Sequence, residues 1–373
     1  MAQIPFAPSA ALTLGIEEEL LLVDATGARA PAHRIEQVLE GGKRTLASPG
    51  GWLKPELLRC TIELATAASS DLGQLEVDLA ALRAAAQDRA DAANAFLVGI
   101  GMHPDHVVEP EFVSDTEAHR AIAELYRRVG TLEEQTIHGI HVHVGMPSLD
   151  DAVRVTEALA AYGPVFIAAT AHSPIARGVR TPWRSTRTDI LRRVPWAGVT
   201  PRFPDVATYR AVHALHQLEN DQPQRFLWEV APVPALGTVE VRAFDAHPDP
   251  RVALGCAALV QGLAAYVLDG GSVARANESL ERHNRWGAME FGTHARFLLP
   301  GRDAPVDAGE CIRAAVERAR PYAVSLGNDA WLDVFEELIE RPPVERVLEA
   351  FEADGVEGVM RAARVPYERS AAT

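Results

Sequence analysis

Lysine is nearly absent from this chain of 373 residues: Lys43 and Lys54 are the only two among 36 basic residues. Chemistry that needs a lysine nucleophile or a Schiff base is therefore disfavoured. The stretch GGKRT at 41–45 is not a Walker loop, because Arg44 follows the lysine and Gln37 stands at the first glycine position. We expect any bound phosphate to be held by arginine, metal ions or backbone N–H groups.

Cysteines and long apolar runs are also scarce. Cys60, Cys256 and Cys311 are odd in number and far apart, which is more typical of a reducing cytosol than of a disulfide framework. The opening MAQIPFAPSA lacks a basic start and a long apolar run, so no signal peptide is predicted. The longest apolar stretch, at 254–268, is too short and interrupted for a membrane span. The sequence predicts a cytoplasmic protein that does not insert in membranes.

Positive charge is in deficit as well. The formal net charge of −15 argues against a nucleic-acid partner, which would need a basic face. No G-x-G-x-x-G fingerprint of a dinucleotide-binding domain opens a helix. Hydrophobic residues make up 47% and charged residues 23%, as in ordinary globular proteins. These features favour a globular protein that acts on small molecules.

Strand-like segments lie mainly in the first two thirds of the chain, and the remainder is helical in pattern. This order indicates an α+β fold and not an alternating doubly wound one. We expect one catalytic domain over residues 1–373, with a sheet-containing core at 11–247 and a mainly helical part at 248–373. Strands are predicted at 11–24, 57–66, 95–103 and 136–146, a hairpin at 226–245, a long helix at 71–96, and a loop with at most one helical turn at 173–204.

Four of the predicted strands have one apolar face and one face of carboxylate, imidazole or guanidinium groups. Alternate residues of a strand point to the same side. In GIEEEL, two glutamates share a side while Ile16 and Leu20 point to the other, and Glu18 falls with the apolar pair, so we expect a structural role for it. The polar positions of the four strands are Glu17 and Glu19, Glu63, His141 and His143, and Glu240 and Arg242.

Two interpretations of these polar faces are open. Antiparallel strands with one solvated face alternate in the same way, and for a single strand this is the simpler explanation. A solvated face usually mixes lysine, serine, threonine and glutamine, however, whereas these positions hold metal-ligand types beside small residues. Oxygen-rich clusters with few imidazoles favour Mg²⁺ or Mn²⁺ over zinc. Converging carboxylates repel one another unless cations neutralise them, so we expect divalent ions here.

An arginine-rich segment, RGVRTPWRSTR at 177–187, is the second candidate site. In an acidic protein a local cationic loop predicts an anionic partner such as phosphate or carboxylate. Pairing with the protein's own surplus carboxylates explains any single arginine equally well. A third feature, HNRW at 283–286, carries little weight alone, since a tryptophan at helical spacing is more often part of a core.

Taken together, these stretches resemble the glutamate–cysteine ligase type 2 family of carboxylate–amine ligases, distantly related to glutamine synthetase. The resemblance spans residues 14–288 in order, and GIEEE combined with GIHVHVG and GTVEVR is specific where each alone is not. The matching stretches are LGIEEELLLVD, CTIELAT, FLVGIGMHP, HGIHVHVGMP, SPIARG, GTVEVRAFD and HNRWGA.

The resemblance implies a curved antiparallel sheet that holds two or three divalent ions between ATP and a substrate carboxylate. It implies Mg²⁺ (or Mn²⁺) and ATP as cofactors, small-molecule substrates, and a tendency to homo-oligomers. The implied metal ligands are Glu17, Glu19, Glu63, His141 and Glu240. The other implied site residues are Arg242 and Arg187 as catalytic groups, and His143, Arg180, Arg184, Asn284 and Arg285 as cofactor-binding groups.

The implied reaction is attack of a carboxylate on the γ-phosphate of ATP, followed by attack of an amine on the acyl phosphate. In the parent enzymes the substrates are glutamate and cysteine, and the arginine-rich segment is a candidate lid over the intermediate. Two stretches depart from the family pattern and concern the substrate. Where relatives tend to carry Gly-Arg-Asp-Thr-Gly, this chain has GVRTP at 178–182, with Val179 and Pro182 among the changes. Where they tend to carry Asp-x-Arg-Pro, it has EVAP at 229–232, with Glu229 and Ala231 as the changes. Two expected arginines are therefore missing.

Three rival functions remain open from the sequence. His-x-His on a strand also occurs in metal-dependent hydrolases of the amidohydrolase type, but there the pair lies near the N-terminus of a barrel and is often joined by a bridging lysine, and neither lysine here is expected near the site. A small-molecule phosphotransferase would share the fold and metals without an amine site. A binding protein without turnover is disfavoured, because unused paired carboxylates only destabilise a fold.

Overall fold

The computed structural model describes residues 4–25, 33–48, 50–194, 196–219 and 226–366. Its strands are β1 (Leu14–Asp24), β2 (Thr45–Ser48), β3 (Gly51–Pro55), β4 (Thr61–Thr66), β5 (Ala95–Val98), β6 (Gly139–Gly145), β7 (Ile175–Ala176), β8 (Val179–Arg180), β9 (Ala197–Gly198), β10 (Leu227–Trp228), β11 (Val230–Val233), β12 (Thr238–Asp245), β13 (Arg296–Phe297) and β14 (Val306–Asp307). Its α-helices are α1 (Ile35–Val38), α2 (Leu72–Ala92), α3 (Glu117–Arg128), α4 (Leu149–Ala160), α5 (Gly163–Thr170), α6 (Thr186–Leu191), α7 (Val206–Glu219), α8 (Pro250–Leu268), α9 (Glu278–Phe291), α10 (Ala308–Leu326), α11 (Val334–Glu340) and α12 (Pro343–Ala362).

One eight-stranded sheet organises the molecule. Its strand order is β11-β12-β6-β1-β4-β3-β2, and β5 pairs with the far half of β1. All of these pairings are antiparallel. The predicted α+β class with an antiparallel sheet is therefore confirmed, and β1 lies at its centre with a partner on each side.

The apolar face of the sheet packs against helices. Ile16, Val142 and Val241 are fully buried and belong to one hydrophobic cluster with residues of α2, α4 and α8. Of the helices beyond residue 248, α8 packs on β1 and β6, and α10 and α11 pack on α8 within the same cluster. By length and composition α8 could cross a membrane, but 83% of that window is buried inside the protein. It serves here as the central core helix.

Capping residues fix where the helices begin. Asp71 accepts a hydrogen bond from the Gly73 N–H at 2.8 Å and starts α2. Ser148 accepts one from the Asp151 N–H at 3.0 Å and starts α4. The long helix ends at Ala92, before its predicted end at 96. The chain turns at Asn94, whose φ is 55°, and then enters β5.

The segment 173–204, predicted to be mainly loop, contains β7, β8, α6 and β9. One carboxylate at the end of β12 makes several of the hydrogen bonds that hold this segment to the sheet. Asp245, the last residue of β12, accepts hydrogen bonds from Ser173 Oγ at 2.7 Å and Ser185 Oγ at 3.0 Å. Ser185 also caps α6. Sequence patterning misses such short elements because tertiary hydrogen bonds, and not periodicity, hold them in place.

A buried ion pair links β1 to the helical layer. Glu18 is 1% exposed and receives hydrogen bonds from Arg83 of α2, from Nε at 2.8 Å and from Nη2 at 2.6 Å. Arg83 also donates to the carbonyl oxygens of His247 and Pro248, just before α8. The structural role expected for Glu18 is therefore what the geometry shows: it joins β1, α2 and the start of α8.

We predict that Glu18→Gln destabilises the protein by about 3–5 kcal/mol, because it leaves the Arg83 guanidinium buried without a counter-charge. Urea unfolding followed by circular dichroism measures this change. The control is Glu278→Gln, which breaks an exposed pair with Arg282 and is expected to leave the midpoint unchanged. Equal midpoints for the two variants would contradict the structural role of Glu18.

Two buried histidines in contact predict a pH-dependent stability. The rings of His172 and His247 are 4.7 Å apart, and burial lowers the pKa of His172 to about 4. Burial, His172 and Arg83 hold the pKa of His247 well below its ordinary value. Because both folded-state pKa values lie below the unfolded value of about 6.5, the unfolded state binds more protons and stability falls as the pH drops through about 6.5.

We predict that His247→Asn, which keeps an acceptor for the Asp249 N–H, flattens the pH dependence of unfolding between pH 7 and pH 5 by up to about 1.4 kcal/mol per pH unit. Urea titrations at several pH values measure this slope. His283→Asn, at an exposed position of α9, should retain the wild-type slope. If the slope of stability against pH were unchanged in His247→Asn, the protonation of His247 would not contribute to the loss of stability at low pH.

Candidate active site

The polar residues predicted for the four strands lie on one face of the sheet. The strands β12, β6, β1, β4 and β3 are consecutive neighbours. Their registers pair Glu240 with His143, His141 with Glu17, and Glu19 with Glu63. Antiparallel pairing in this register brings carboxylates and imidazoles from four separate stretches of sequence into one continuous row.

Three of these residues form a group suited to a metal ion. The ligand atoms of Glu17, His141 and Glu240 all lie within 4.8 Å of one another. His141 Nδ1 is 3.4 Å from Glu17 Oε2 and 3.6 Å from Glu240 Oε1. Two carboxylates with one imidazole fit Mg²⁺ or Mn²⁺. His143 Nε2 lies beside the group, 3.7 Å from Glu17 Oε2.

Glu19 and Glu63 lie at the other end of the row. Glu19 Oε1 is 3.8 Å from His141 Nε2, and Glu19 Oε2 accepts a hydrogen bond from Gly139 N–H at 2.6 Å. Burial raises the pKa of Glu19. Burial, together with the charge of Glu17, raises the pKa of Glu63 well above its ordinary value. Glu19 and Glu63 are therefore buried carboxylates whose ionised forms need neighbouring cations.

Lys54 is the site residue that sequence reasoning missed, and the expectation that neither lysine lies near the site is wrong. Its Nζ atom is 3.0 Å from Glu17 Oε1 and 2.5 Å from Glu63 Oε1. On β3, Lys54 pairs with Glu63, whereas its neighbour Leu53 is fully buried. The buried Leu53 between Trp52 and Lys54 fits a strand with Lys54 on its polar face, but β3 is too short for this alternation to predict a strand from the sequence.

Neighbouring cations offset the effect of burial on two of the carboxylates. Burial alone would raise the pKa of Glu17, but hydrogen bonds to His141 and His143 hold it well below its ordinary value. Burial would also raise the pKa of Glu240, and the charge of Arg242 lowers it instead. Both carboxylates are therefore ionised at neutral pH and available to a metal ion.

Arg242 and Arg187 stand next to this group. Arg242 Nη2 is 2.5 Å from Glu240 Oε1, and Arg187 Nη2 donates to the Arg242 carbonyl oxygen at 3.1 Å. Arg187 can approach because residue 139 is glycine: a Cβ there would lie 2.2 Å from its Nη2. Arg187 Nε and Nη1 and Arg242 Nε are buried without hydrogen-bond partners. Buried guanidinium groups with unused donors are suited to an anionic ligand.

A β-bulge shapes this part of the site. The register of β12 against β6 shifts between Val241 and Phe244. An unbroken alternation from Glu240 would put Phe244 on the polar face, yet it is fully buried in the core cluster. Asp245 instead lies 3.9 Å from Arg187 Nη1. Bulges redirect side chains in this way next to active sites, and simple alternation could not have found Asp245.

A small cavity of about 10 Å³, the size that holds one water, lies beside the two arginines. Glu229 lines it together with Arg187 and Arg242. Arg285 Nε donates to both carboxylate oxygens of Glu229, at 3.1 and 2.9 Å. Arg285, predicted to bind the cofactor, thus contacts Glu229, and Glu229 in turn lines the cavity.

The other predicted cofactor-binding residues contact other parts of the protein. Asn284 hydrogen-bonds with both side-chain atoms to the backbone of Leu298. Arg184 Nη1 is 3.1 Å from Glu345, and Arg180 Nη1 is 3.8 Å from Glu352, both on α12. Pairing with the protein's own carboxylates, the alternative considered from the sequence, describes these two arginines in the structure. Their roles in cofactor binding stay predictions.

Comparison with solved structures defines the class of fold. The chain is similar to a glutamate–cysteine ligase from Francisella tularensis in complex with AMP, with a TM-score of 0.68 at 14% identity, covering 98% of this chain and 91% of that one. It is also similar to a bifunctional glutathione synthetase from Pasteurella multocida, with a TM-score of 0.67 at 13% identity, covering 95% of this chain and 52% of the other. The fold is that of the glutamate–cysteine ligases.

Sequence comparison then identifies the family. Residues 13–361 match glutamate–cysteine ligase family 2. A protein provisionally named glutamate–cysteine ligase 2-1 from Rubrobacter xylanophilus is 33% identical over 88% of this chain and 87% of its own length. One from Bordetella avium, provisionally named glutamate–cysteine ligase 2, is 32% identical over 91% and 84%. The chain belongs to glutamate–cysteine ligase family 2, and is an ATP-dependent ligase that forms a carbon–nitrogen bond.

We predict that Glu240→Gln weakens Mn²⁺ binding at least about tenfold, because it removes one anionic ligand from a three-residue group. Electron paramagnetic resonance of free Mn²⁺ during a titration measures the dissociation constant without turnover. Glu124→Gln, at an exposed position of α3, is the control and should bind like wild type. An unchanged affinity in Glu240→Gln would remove Glu240 from the metal site.

Proposed function

We propose that this protein joins the γ-carboxylate of glutamate to the amine of cysteine or a related amine, with ATP and Mg²⁺ or Mn²⁺, through an acyl-phosphate intermediate. The observation that carries the proposal is the row of carboxylates and imidazoles in which Glu17, His141 and Glu240 form a candidate metal-binding group beside Arg242. Family membership supports the ligase class. The choice of glutamate and cysteine rests on the family description alone.

The proposed reaction has two steps. A carboxylate oxygen of the substrate attacks the γ-phosphorus, and the bond to the ADP oxygen breaks. The amine nitrogen then attacks the acyl carbon, phosphate leaves, and the nitrogen loses a proton. Bound divalent ions would neutralise phosphate charge during the first step. Glu17, Glu19, His141 and Glu240 are the proposed ligands, and Glu63, the fifth residue implied by the resemblance, contacts Lys54 in the structure.

Within this reaction the arginines have separate proposed roles. Arg242, oriented by Glu240, would donate hydrogen bonds to the transferring phosphoryl group as its charge develops. Arg187 is 2% exposed and has two nitrogens without hydrogen-bond partners, which supports contact with the substrate carboxylate. Ala231 lies opposite Glu240 in the β11–β12 register and replaces an expected arginine. Arg187 would therefore bind the substrate carboxylate without help from an arginine at position 231.

Glu229 places a carboxylate beside the two arginines. Its carboxylate lines the same cavity as Arg187 and Arg242. Arg285 fixes its orientation through the two hydrogen bonds described above. The cavity between them has room for one water molecule and not for an amino acid, so the proposal of an amino-acid substrate rests on the family description.

The test of the proposed function is ADP release from Mg²⁺-ATP with no substrate, with glutamate alone, and with glutamate plus cysteine or another amine. We predict ADP formation only when glutamate and an amine are both present, together with a mass-spectrometric product equal to the two joined with loss of water. ADP and a stable phosphorylated product from glutamate alone would identify a phosphotransferase instead. Absence of ATP binding would overturn the proposal.

We predict that Arg187→Met lowers kcat/KM for glutamate by about 100-fold or more, since a charged hydrogen bond to the substrate is lost. Steady-state kinetics with varied glutamate measure the effect. Arg193→Met is the control, because Arg193 lies exposed beyond α6 and pairs with Glu134; it should keep wild-type values. If Arg187→Met kept wild-type kinetics, Arg187 would not contact the substrate carboxylate.

A further inference from the structure

Lys54 occupies one end of the carboxylate row. Its Nζ atom bridges Glu17 of β1 and Glu63 of β4, at 3.0 and 2.5 Å. The two glutamates belong to neighbouring strands, and Lys54 reaches them from a third strand, β3, where it pairs with Glu63. Its side chain is 25% exposed, so the ammonium group sits largely inside the site.

Glu17 connects this end of the row to the metal-binding group. Its Oε1 atom faces Lys54, whereas its Oε2 atom faces His141 at 3.4 Å and His143 at 3.7 Å. The metal-binding group found among the described residues is Glu17, His141 and Glu240. Glu63, the remaining carboxylate next to Glu17, has the lysine as its cation.

The charges of the row explain why a cation is needed at this place. Glu17, Glu19, Glu63 and Glu240 bring four carboxylates to one face, and Arg242 compensates at the Glu240 end. At the Glu63 end, either a metal ion or a fixed positive group must separate Glu63 from Glu17. A compact ammonium group can occupy the space between two carboxylate oxygens as a small ion would, whereas a guanidinium fork is larger and planar.

A purely structural salt bridge is the simpler alternative. The residue type argues for more: the chain uses arginine for nearly all its cations and has only one other lysine, Lys43. Lys43 lies exposed outside the sheet, whereas Lys54 contacts Glu17 on β1 and Glu63 on β4. A structural pair and a substitute for a metal ion differ in one measurable respect, the number of ions that the site can hold.

We propose that Lys54 is a built-in cation that takes the place of a divalent ion between Glu17 and Glu63 and directs the other oxygen of Glu17 toward His141. This inference rests on the proposed metal site. Lys54 is then a positioning residue that limits the number of divalent ions at the sheet. Removing its charge opens a two-carboxylate position for one more ion.

The experiment counts Mn²⁺ bound per chain by electron paramagnetic resonance and equilibrium dialysis, with Mn²⁺ alone and with a non-hydrolysable ATP analogue. We expect Lys54→Met to bind about one more Mn²⁺ than wild type at saturation, and Lys54→Met combined with Glu63→Gln to lose that extra ion. Circular dichroism and urea unfolding check that each variant is folded.

Lys43→Met is the matched control, because it removes the only other lysine and should leave the ion count unchanged. The same count and affinity in Lys54→Met and wild type, with both folded, would overturn the proposal and leave the metal site standing. Failure of the wild type to bind Mn²⁺ under either condition would overturn both. Neither result depends on which substrates the enzyme joins, so the outcome is separate from the test by ADP release.

Discussion

Electrostatic repulsion among carboxylates on one face of the central sheet is the constraint on which the rest of the site depends. Glu17, Glu19, Glu63 and Glu240 are brought together by strand register, and water is largely excluded from them. Such a row is stable only with cations close by. Arg242 and Lys54 supply part of that charge from the chain itself, and bound divalent ions would supply the rest.

The opposite face of the same strands anchors this arrangement. Ile16, Val142 and Val241 pack on α8 and its neighbours in a single core, and the Glu18–Arg83 pair ties the middle of β1 to α2. Because interiors are close-packed, the strands cannot slide to relieve the repulsion. A one-residue slip would also move each carboxylate into the core. The hydrophobic layer therefore provides the rigidity that a preorganised polar site requires.

The proposed substrate side is built differently from the proposed metal side. It depends on a bulge in β12, on the short helix α6 held by Asp245, and on the Glu229–Arg285 pair. These features involve side-chain contacts and a one-residue irregularity, which are easier to vary than a strand register. That difference is consistent with the expectation from the sequence that positions 179, 182, 229 and 231 depart from the family pattern.

The sequence by itself determined the sheet's two faces. Strict alternation in GIEEEL, GIHVHVG and TVEVR placed the carboxylates, imidazoles and Arg242 on one side, and it assigned Glu18 to the other, because a strand's side-chain period is two. The capping residues Asp71 and Ser148 set the helix starts. Only the tertiary structure decided that Lys54 enters the row, that Asp245 turns to Arg187 after a bulge, and that Arg180 and Arg184 pair with α12. Those contacts join residues far apart in the chain, and no local periodicity encodes a distance between strands or the partner of a charge.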